Sequence, residues 1–203
     1  MMLPRDYLKE TPSQTGGPYV HIGMMPNLFD INGVIPEDLG GDIVLEGVKG
    51  ERITIKGRIV DGGGNPVFDC VVELWQADAN GIYNSPMEHR SGADPKCIGW
   101  GRQSADDNGE FAFETIKPGP VPAPGGGLMA PHVTLWIVAR GINIGLQTRM
   151  YFSDEEAANA KDPILGKARM IGRDGTMIGK RDGDIVTFDI YLQGENETVF
   201  LDI

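Results

Sequence analysis

The chain has 203 residues, enough for one ordinary domain burying roughly 70% of the surface its unfolded form exposes, so its core needs no disulfide or structural metal. Hydrophobic residues at 40% and charged residues at 23% exclude wholesale disorder, and no run approaches the ~18 apolar residues of a membrane span. The net charge of −11 repels phosphate backbones, which argues against nucleic acid as a partner and requires a local cation for any anionic substrate. Met1 to Glu10 mixes charge with proline and lacks the apolar stretch of an export signal. Cys70 and Cys97 form no disulfide framework, so the expectation is reduced thiols in a cytoplasmic protein, with Cys70 buried and inert.

Residues 1–50 are irregular, and Tyr19-Val20-His21-Ile22-Gly23 suggests an ordered arm packed on its own domain or on a partner chain. Residues 51–203 form the domain proper. Arg52–Val60 alternates at period two and ends in the turn Asp61-Gly62-Gly63-Gly64-Asn65-Pro66. Cys70–Gln76 is a strand, followed by the turn Ala77-Asp78-Ala79-Asn80-Gly81 and a polar loop over 84–98. Gly99–Ser104 and Glu110–Ile116 flank the turn Asp106-Asp107-Asn108-Gly109, with Phe111 and Phe113 on one face. Lys117–Gly127 holds four prolines and four glycines and is a loop. His132–Arg140 and Leu146–Phe152 are strands, and Ser153–Lys161 is a short helix. Ile185–Leu192 closes the sheet, with Thr198–Ile203 as an edge. Short strands punctuated by 29 Gly and 14 Pro predict an all-β fold, a mostly antiparallel two-sheet β-sandwich with an irregular N-terminal arm and one short helix.

Pattern alone yields no catalytic set. The Asp/Asn-Gly clusters at 61–66, 78–81 and 106–109 lack the ligand layout of a calcium loop and are turns. His21, His89 and His132 are far apart, whereas a metal needs three or four converging ligands. His132 stands out because it opens a strand after a Pro/Gly loop, with Thr134 and Trp136 on its face.

Four stretches change this reading. They are Thr11-Pro12-Ser13-Gln14-Thr15-Gly16-Gly17-Pro18-Tyr19, Leu74-Trp75-Gln76-Ala77-Asp78-Ala79-Asn80-Gly81-Ile82-Tyr83, Thr115-Ile116-Lys117-Pro118-Gly119-Pro120 and Ala139-Arg140-Gly141-Ile142-Asn143. In this order the chain resembles the intradiol ring-cleavage dioxygenases, and among them the two-chain members that open protocatechuate. The resemblance implies a complex of homologous alpha and beta chains, assembled into a higher alpha/beta oligomer. In it, Fe(III) and O₂ cleave protocatechuate to a carboxy-muconate. The iron is held in the beta chain by two Tyr and two His.

The family's ligands carry over one at a time. Tyr83 matches the first Tyr, and His132 the first His. Val121 stands where the second Tyr would be, and Thr134 where the second His would be. Met129 replaces an Arg of the iron-bearing chain, and Arg149 stands where that chain has a neutral polar side chain. The resemblance therefore implies an iron-free alpha-type chain with a degenerate pseudo-site of Tyr83, Val121, His132, Thr134 and Arg149. It has no catalytic residue of its own, and the expectation is that the Arg149 guanidinium fills part of the metal's space, with its charge near Tyr83 and His132. The same resemblance places Thr15, Gly17, Pro18, Tyr19 and Arg140 in the substrate cavity at the alpha/beta interface. Arg140 would supply the cation a carboxylated catechol needs. Two rival readings stay open: a self-sufficient iron dioxygenase, and a β-sandwich binding module that is no enzyme at all.

Overall fold

A computed structural model describes residues 14–202. Met1–Glu10 and the Thr11–Ser13 portion of the first motif lie outside the described residues. The strands run in chain order as β1 (Arg52–Val60), β2 (Cys70–Trp75), β3 (Trp100–Ser104), β4 (Glu110–Ile116), β5 (Val121–Pro122), β6 (Leu128–Met129), β7 (His132–Ala139), β8 (Leu146–Phe152), β9 (Ile178–Asp182), β10 (Ile185–Thr187) and β11 (Ile190–Tyr191).

One layer is β3-β2-β7-β8, antiparallel throughout. The other centres on β1, with β4 antiparallel on one edge and β10 and β11 parallel on the other. Strand β9 joins the layers, pairing with β10 and, through Ile178 and Gly179, with β8. The sheet is therefore mixed, with parallel pairing confined to β1 and the β8–β9 junction. Between the layers lies one core, with Ile53, Ile55 and Ile59 of β1, Phe111 and Phe113 of β4, Val72 and Leu74 of β2, and Val133, Leu135 and Ile137 of β7. Each such side chain contributes roughly 1.5–3 kcal/mol by leaving water.

Strands with period-two alternation sit where the sequence predicts them, because one face of each is buried. Three departures have local causes. The expected strand Ile185–Leu192 is split at Phe188–Asp189, where the Asp189 carboxylate accepts the Arg58 N–H at 3.1 Å in place of a backbone carbonyl. The expected edge at the C-terminus is irregular, held to β8 by Leu201 N–H to Gln147 O at 2.7 Å. Strand β9 carries no alternation and was not expected. Its Gly179 lies flat against Met150, where a Cβ would come within 2.7 Å of Sδ.

Helices exceed the single one expected. Within the predicted segment α2 is only Glu156–Asn159, and α3 (Pro163–Met170) follows it. In the arm, a 3₁₀ turn Gly17–Tyr19 leads into α1 (Val20–Met24), so the order expected at 19–23 takes helical form. This arm is tied to the domain. The Arg102 guanidinium donates to Met24 O at 3.2 Å and pairs with Glu73 at 2.6 Å.

All three Asx-Gly clusters are turns closed by their leading carboxylate. Asp61 Oδ1 accepts Gly63 and Asn65 N–H, Asp78 Oδ1 accepts Asn80 and Ile82 N–H, and Asp106 Oδ1 accepts Asn108 and Glu110 N–H. Cys70 and Cys97 are buried free thiols, and burial raises both pKa values, Cys97 to about 11. Among the described residues no helix is long and apolar enough to cross a membrane.

Candidate functional site

Two of the quoted motifs are halves of one interlock. Gln76, buried at the end of β2, donates from Nε2 to Ile116 O at 3.0 Å and accepts the Thr115 hydroxyl at 2.8 Å. Gly119 N–H donates to Asp78 O at 2.9 Å. Gly81 has φ +74° and lies so close to Pro120 that a Cβ would fall 1.9 Å from its carbonyl oxygen. The strand-turn 74–83 and the loop 115–120 are thus pressed together backbone to backbone. This brings Tyr83 and Val121 into one small cluster with Ala77 and Met129.

The rest of the predicted pseudo-site lies on the outward face of β2, β7 and β8. Thr134 sits opposite Trp75 on one side and Arg149 on the other, and His132 sits opposite Tyr151. Tyr83 stacks on Trp75 at 5.8 Å with the rings nearly parallel. His132 is 3% exposed, with Nδ1 2.7 Å from Ala130 O and its ring 5.4 Å from that of Tyr151. That contact makes Nδ1 the protonated nitrogen, because a carbonyl only accepts. His132 Nε2 has no hydrogen-bond partner among the described residues. Tyr83, Val121, His132, Thr134 and Arg149 are therefore gathered in one region.

Burial sets the electrostatics of the two remaining donor residues, and Arg149 modifies it. Burial raises the Tyr83 phenol pKa, with Arg149 and Arg90 pulling the other way. Burial, with Arg149 adding to it, pushes His132 down to about 4. The sign of the stability effect follows. An unfolded histidine titrates near about 6.5, so between that pH and about 4 the unfolded chain binds more protons. Stability is then lost as pH falls through this window, by at most about 3 kcal/mol. His132→Gln is expected to flatten the pH dependence of the melting temperature between those limits. Identical slopes in the two proteins would refute the assignment.

The residues present do not suit Fe(III), the group the resemblance implies. A hard trivalent cation takes anionic oxygen and imidazole donors. Val121 offers no donor atom, and a guanidinium stands opposite Thr134. Among the described residues no three His, Cys, Asp or Glu side chains converge as a metal site.

The second predicted group lies elsewhere. Thr15 Oγ1 donates to Ala139 O at 3.2 Å and accepts the Gly141 N–H at 3.0 Å, so the arm is fastened on both sides of Arg140. Gly17 N–H donates to the same hydroxyl at 3.3 Å. Pro18 is exposed, and Tyr19 is 73% exposed. The Arg140 guanidinium is half exposed, 3.0 Å from the buried Asp69 carboxylate and above the Phe68 ring at 5.7 Å.

Sequence reasoning missed three contributors: Asp69, Tyr151 and Asp162. Asp162 is 1% exposed. It caps α3 through Ile164 and Leu165 N–H, accepts the Tyr151 hydroxyl at 3.1 Å and accepts Ala130 N–H at 2.8 Å. The Asp-Pro pair opening an apolar helical run was a readable N-cap signal; its reach to Tyr151 and Ala130 was not.

The dioxygenase family profile matches residues 43–194. The protocatechuate 3,4-dioxygenase alpha chain of Pseudomonas putida is 42% identical over 205 residues, covering 98% of this chain and all of that one. The protocatechuate 3,4-dioxygenase beta chain of Burkholderia cepacia is 35% identical over 182 residues, covering 80% of this chain and 76% of that one. An intradiol ring-cleavage dioxygenase from Tetranychus urticae superposes with a TM-score of 0.54 at 21% identity, covering 82% of this chain and 95% of that one, a likeness of fold. By its sequence over nearly its whole length, and by its sandwich, this chain belongs to the intradiol dioxygenase family.

Proposed function

We propose that this chain is the iron-free subunit of a two-chain intradiol dioxygenase acting on protocatechuate. A homologous beta chain would carry Fe(III), and this chain would help to line the substrate cavity between the two. Relatives named as protocatechuate 3,4-dioxygenase alpha and beta chains, from two organisms and both similar to this chain, support the pairing. Bound in the partner, Fe(III) would supply the activation of the catecholate toward O₂. The chemistry it would supply is opening of the ring between its two hydroxyl-bearing carbons, with both oxygen atoms of O₂ entering the product.

This chain's share is binding and orientation. The observation that carries the reading is the double anchoring of Thr15 around Arg140, which sets the arm and a cation on one exposed surface. The guanidinium is held close by the buried Asp69 carboxylate, with Nε 3.0 Å from Oδ2, while about half of its side chain stays exposed to a ligand. In a chain of net charge −11, such a local cation is what a carboxylated ring requires.

The test uses the complex. Arg140→Ala is expected to raise KM for protocatechuate about 30-fold or more, the low end for loss of a desolvated charged contact. KM for unsubstituted catechol should barely change. Equal effects on both substrates would refute a carboxylate role. The iron assignment has its own check. This chain purified alone is expected to be colourless and iron-free, and the co-expressed complex coloured by phenolate-bound Fe(III). Stoichiometric iron in the chain alone would install the self-sufficient enzyme instead.

A further inference from the structure

Arg149 connects the two positions at which the family's metal donors are missing. Its backbone is the cross-strand partner of Thr134. Its Nη1 ends 3.1 Å from the sulfur of Met129, and Met129 is the cross-strand partner of Val121. The side chain therefore runs from one replaced donor position to the partner of the other. On its way it passes the face that carries His132, beside the Trp75–Tyr83 stack.

Two further features mark this arginine as unusual. Among the described residues no carboxylate lies within ion-pairing distance of it, although eight other ion pairs form. Of the acids near it, Asp162 is committed to the α3 cap and Tyr151, and Glu88 to Arg90, and Asp202, which lines the same cavity, does not approach it within ion-pairing distance. In addition, its Nε is buried without a hydrogen-bond partner among the described residues. Among the described residues this partly buried, permanently charged group has no counter-ion, which is a costly arrangement, so its retention calls for a reason. Its charge reaches both Tyr83 and His132, the two donor residues that remain.

We propose that Arg149 is a built-in cation that stands in for the family's metal and keeps metal ions out, so that restoring the two missing donors recreates a metal site only when Arg149 is neutralised as well. This rests on the reading above, in which the five pseudo-site positions correspond to an iron site. Two physical effects act together. The guanidinium fills the space between the donor positions, and its fixed charge repels any cation brought close to it in a medium of low dielectric.

The experiment compares co-purified complexes containing Val121→Tyr/Thr134→His, the same pair with Arg149→Gln, and the same pair with Arg149→Lys. Each is assayed for iron by elemental analysis and for visible absorbance. The first and third are expected to hold the iron content of the wild-type complex. The Gln variant should gain about one equivalent per copy of this chain, with added phenolate-to-iron absorbance. A gained equivalent in the first complex, or none in the Gln variant, would overturn the proposal. The wild-type baseline tests the underlying reading separately, because iron already on this chain there would refute the iron-free subunit whatever the variants do. Should a tyrosine at position 121 prevent assembly, Thr134→His is compared with Thr134→His/Arg149→Gln by Co²⁺ titration. At least about tenfold tighter binding in the latter is expected. Equal affinities, or no binding by either, would overturn the idea.

Discussion

Gly81→Ala is expected to lower the melting temperature of the complex by roughly 8–16 °C, corresponding to about 4 kcal/mol in a chain of this length. Two effects combine. At φ +74° any side chain is strained, which costs about 1–2 kcal/mol. The larger effect is steric, since the new Cβ would lie 1.9 Å from the carbonyl oxygen of Pro120 and neither atom belongs to a flexible side chain. Relief requires moving the 74–83 turn away from the 115–120 loop, against the Gly119–Asp78 and Gln76–Ile116 hydrogen bonds. Gly64→Ala is the control. Its φ is +82° but no atom lies within 4 Å of the new Cβ, so only the strain, about 1 kcal/mol, is expected. Calorimetry on the two variants separates the terms. Similar losses in both would show that the interlock contributes little.

Asp162→Ala should destabilise by about 3–5 kcal/mol, through the loss of a helix cap and the stranding of buried donors. Four donors converge on this carboxylate: the Tyr151 hydroxyl and the N–H groups of Ala130, Ile164 and Leu165. Together they bind α3 to β8 and to the segment leading into His132. Asp162→Asn keeps the shape but turns an amide N–H₂ toward one of these donors, so an intermediate loss is expected. The measurement is the melting temperature together with tryptic cleavage at Lys161 and Lys167, which flank the cap. Unchanged cleavage alongside a lowered melting temperature would mean that α3 stays docked without it.

How much of this was legible in the sequence depends on the range of the interactions. The seven-residue strand Glu110–Ile116 and the nine-residue β1 match their predicted limits because alternation records which face is buried and needs no distant information, and Leu146–Phe152 also matches its expected limits. The Asx turns were equally legible, since a leading carboxylate and a following glycine act within four residues. Strand β9 was invisible, because its place comes from parallel pairing and a flat glycine against Met150. The arm was legible only as an ordered segment, because a five-residue helix leaves too short a pattern to fix its element type.

The sequence by itself determined the all-β class, the turns and the family resemblance, and the resemblance implies which donor positions are changed, since each is a property of residue identity at a position. The tertiary structure decided what stands in their place. Only three-dimensional packing shows that Arg149 reaches from its place opposite Thr134 to the cross-strand partner of Val121 with no carboxylate among the described residues in ion-pairing distance, or that Thr15 clasps the backbone on both sides of Arg140 across 124 to 126 residues of chain. The reason is physical. Alternation and turn chemistry are local, whereas the environment of a charge is set by whatever the fold brings beside it.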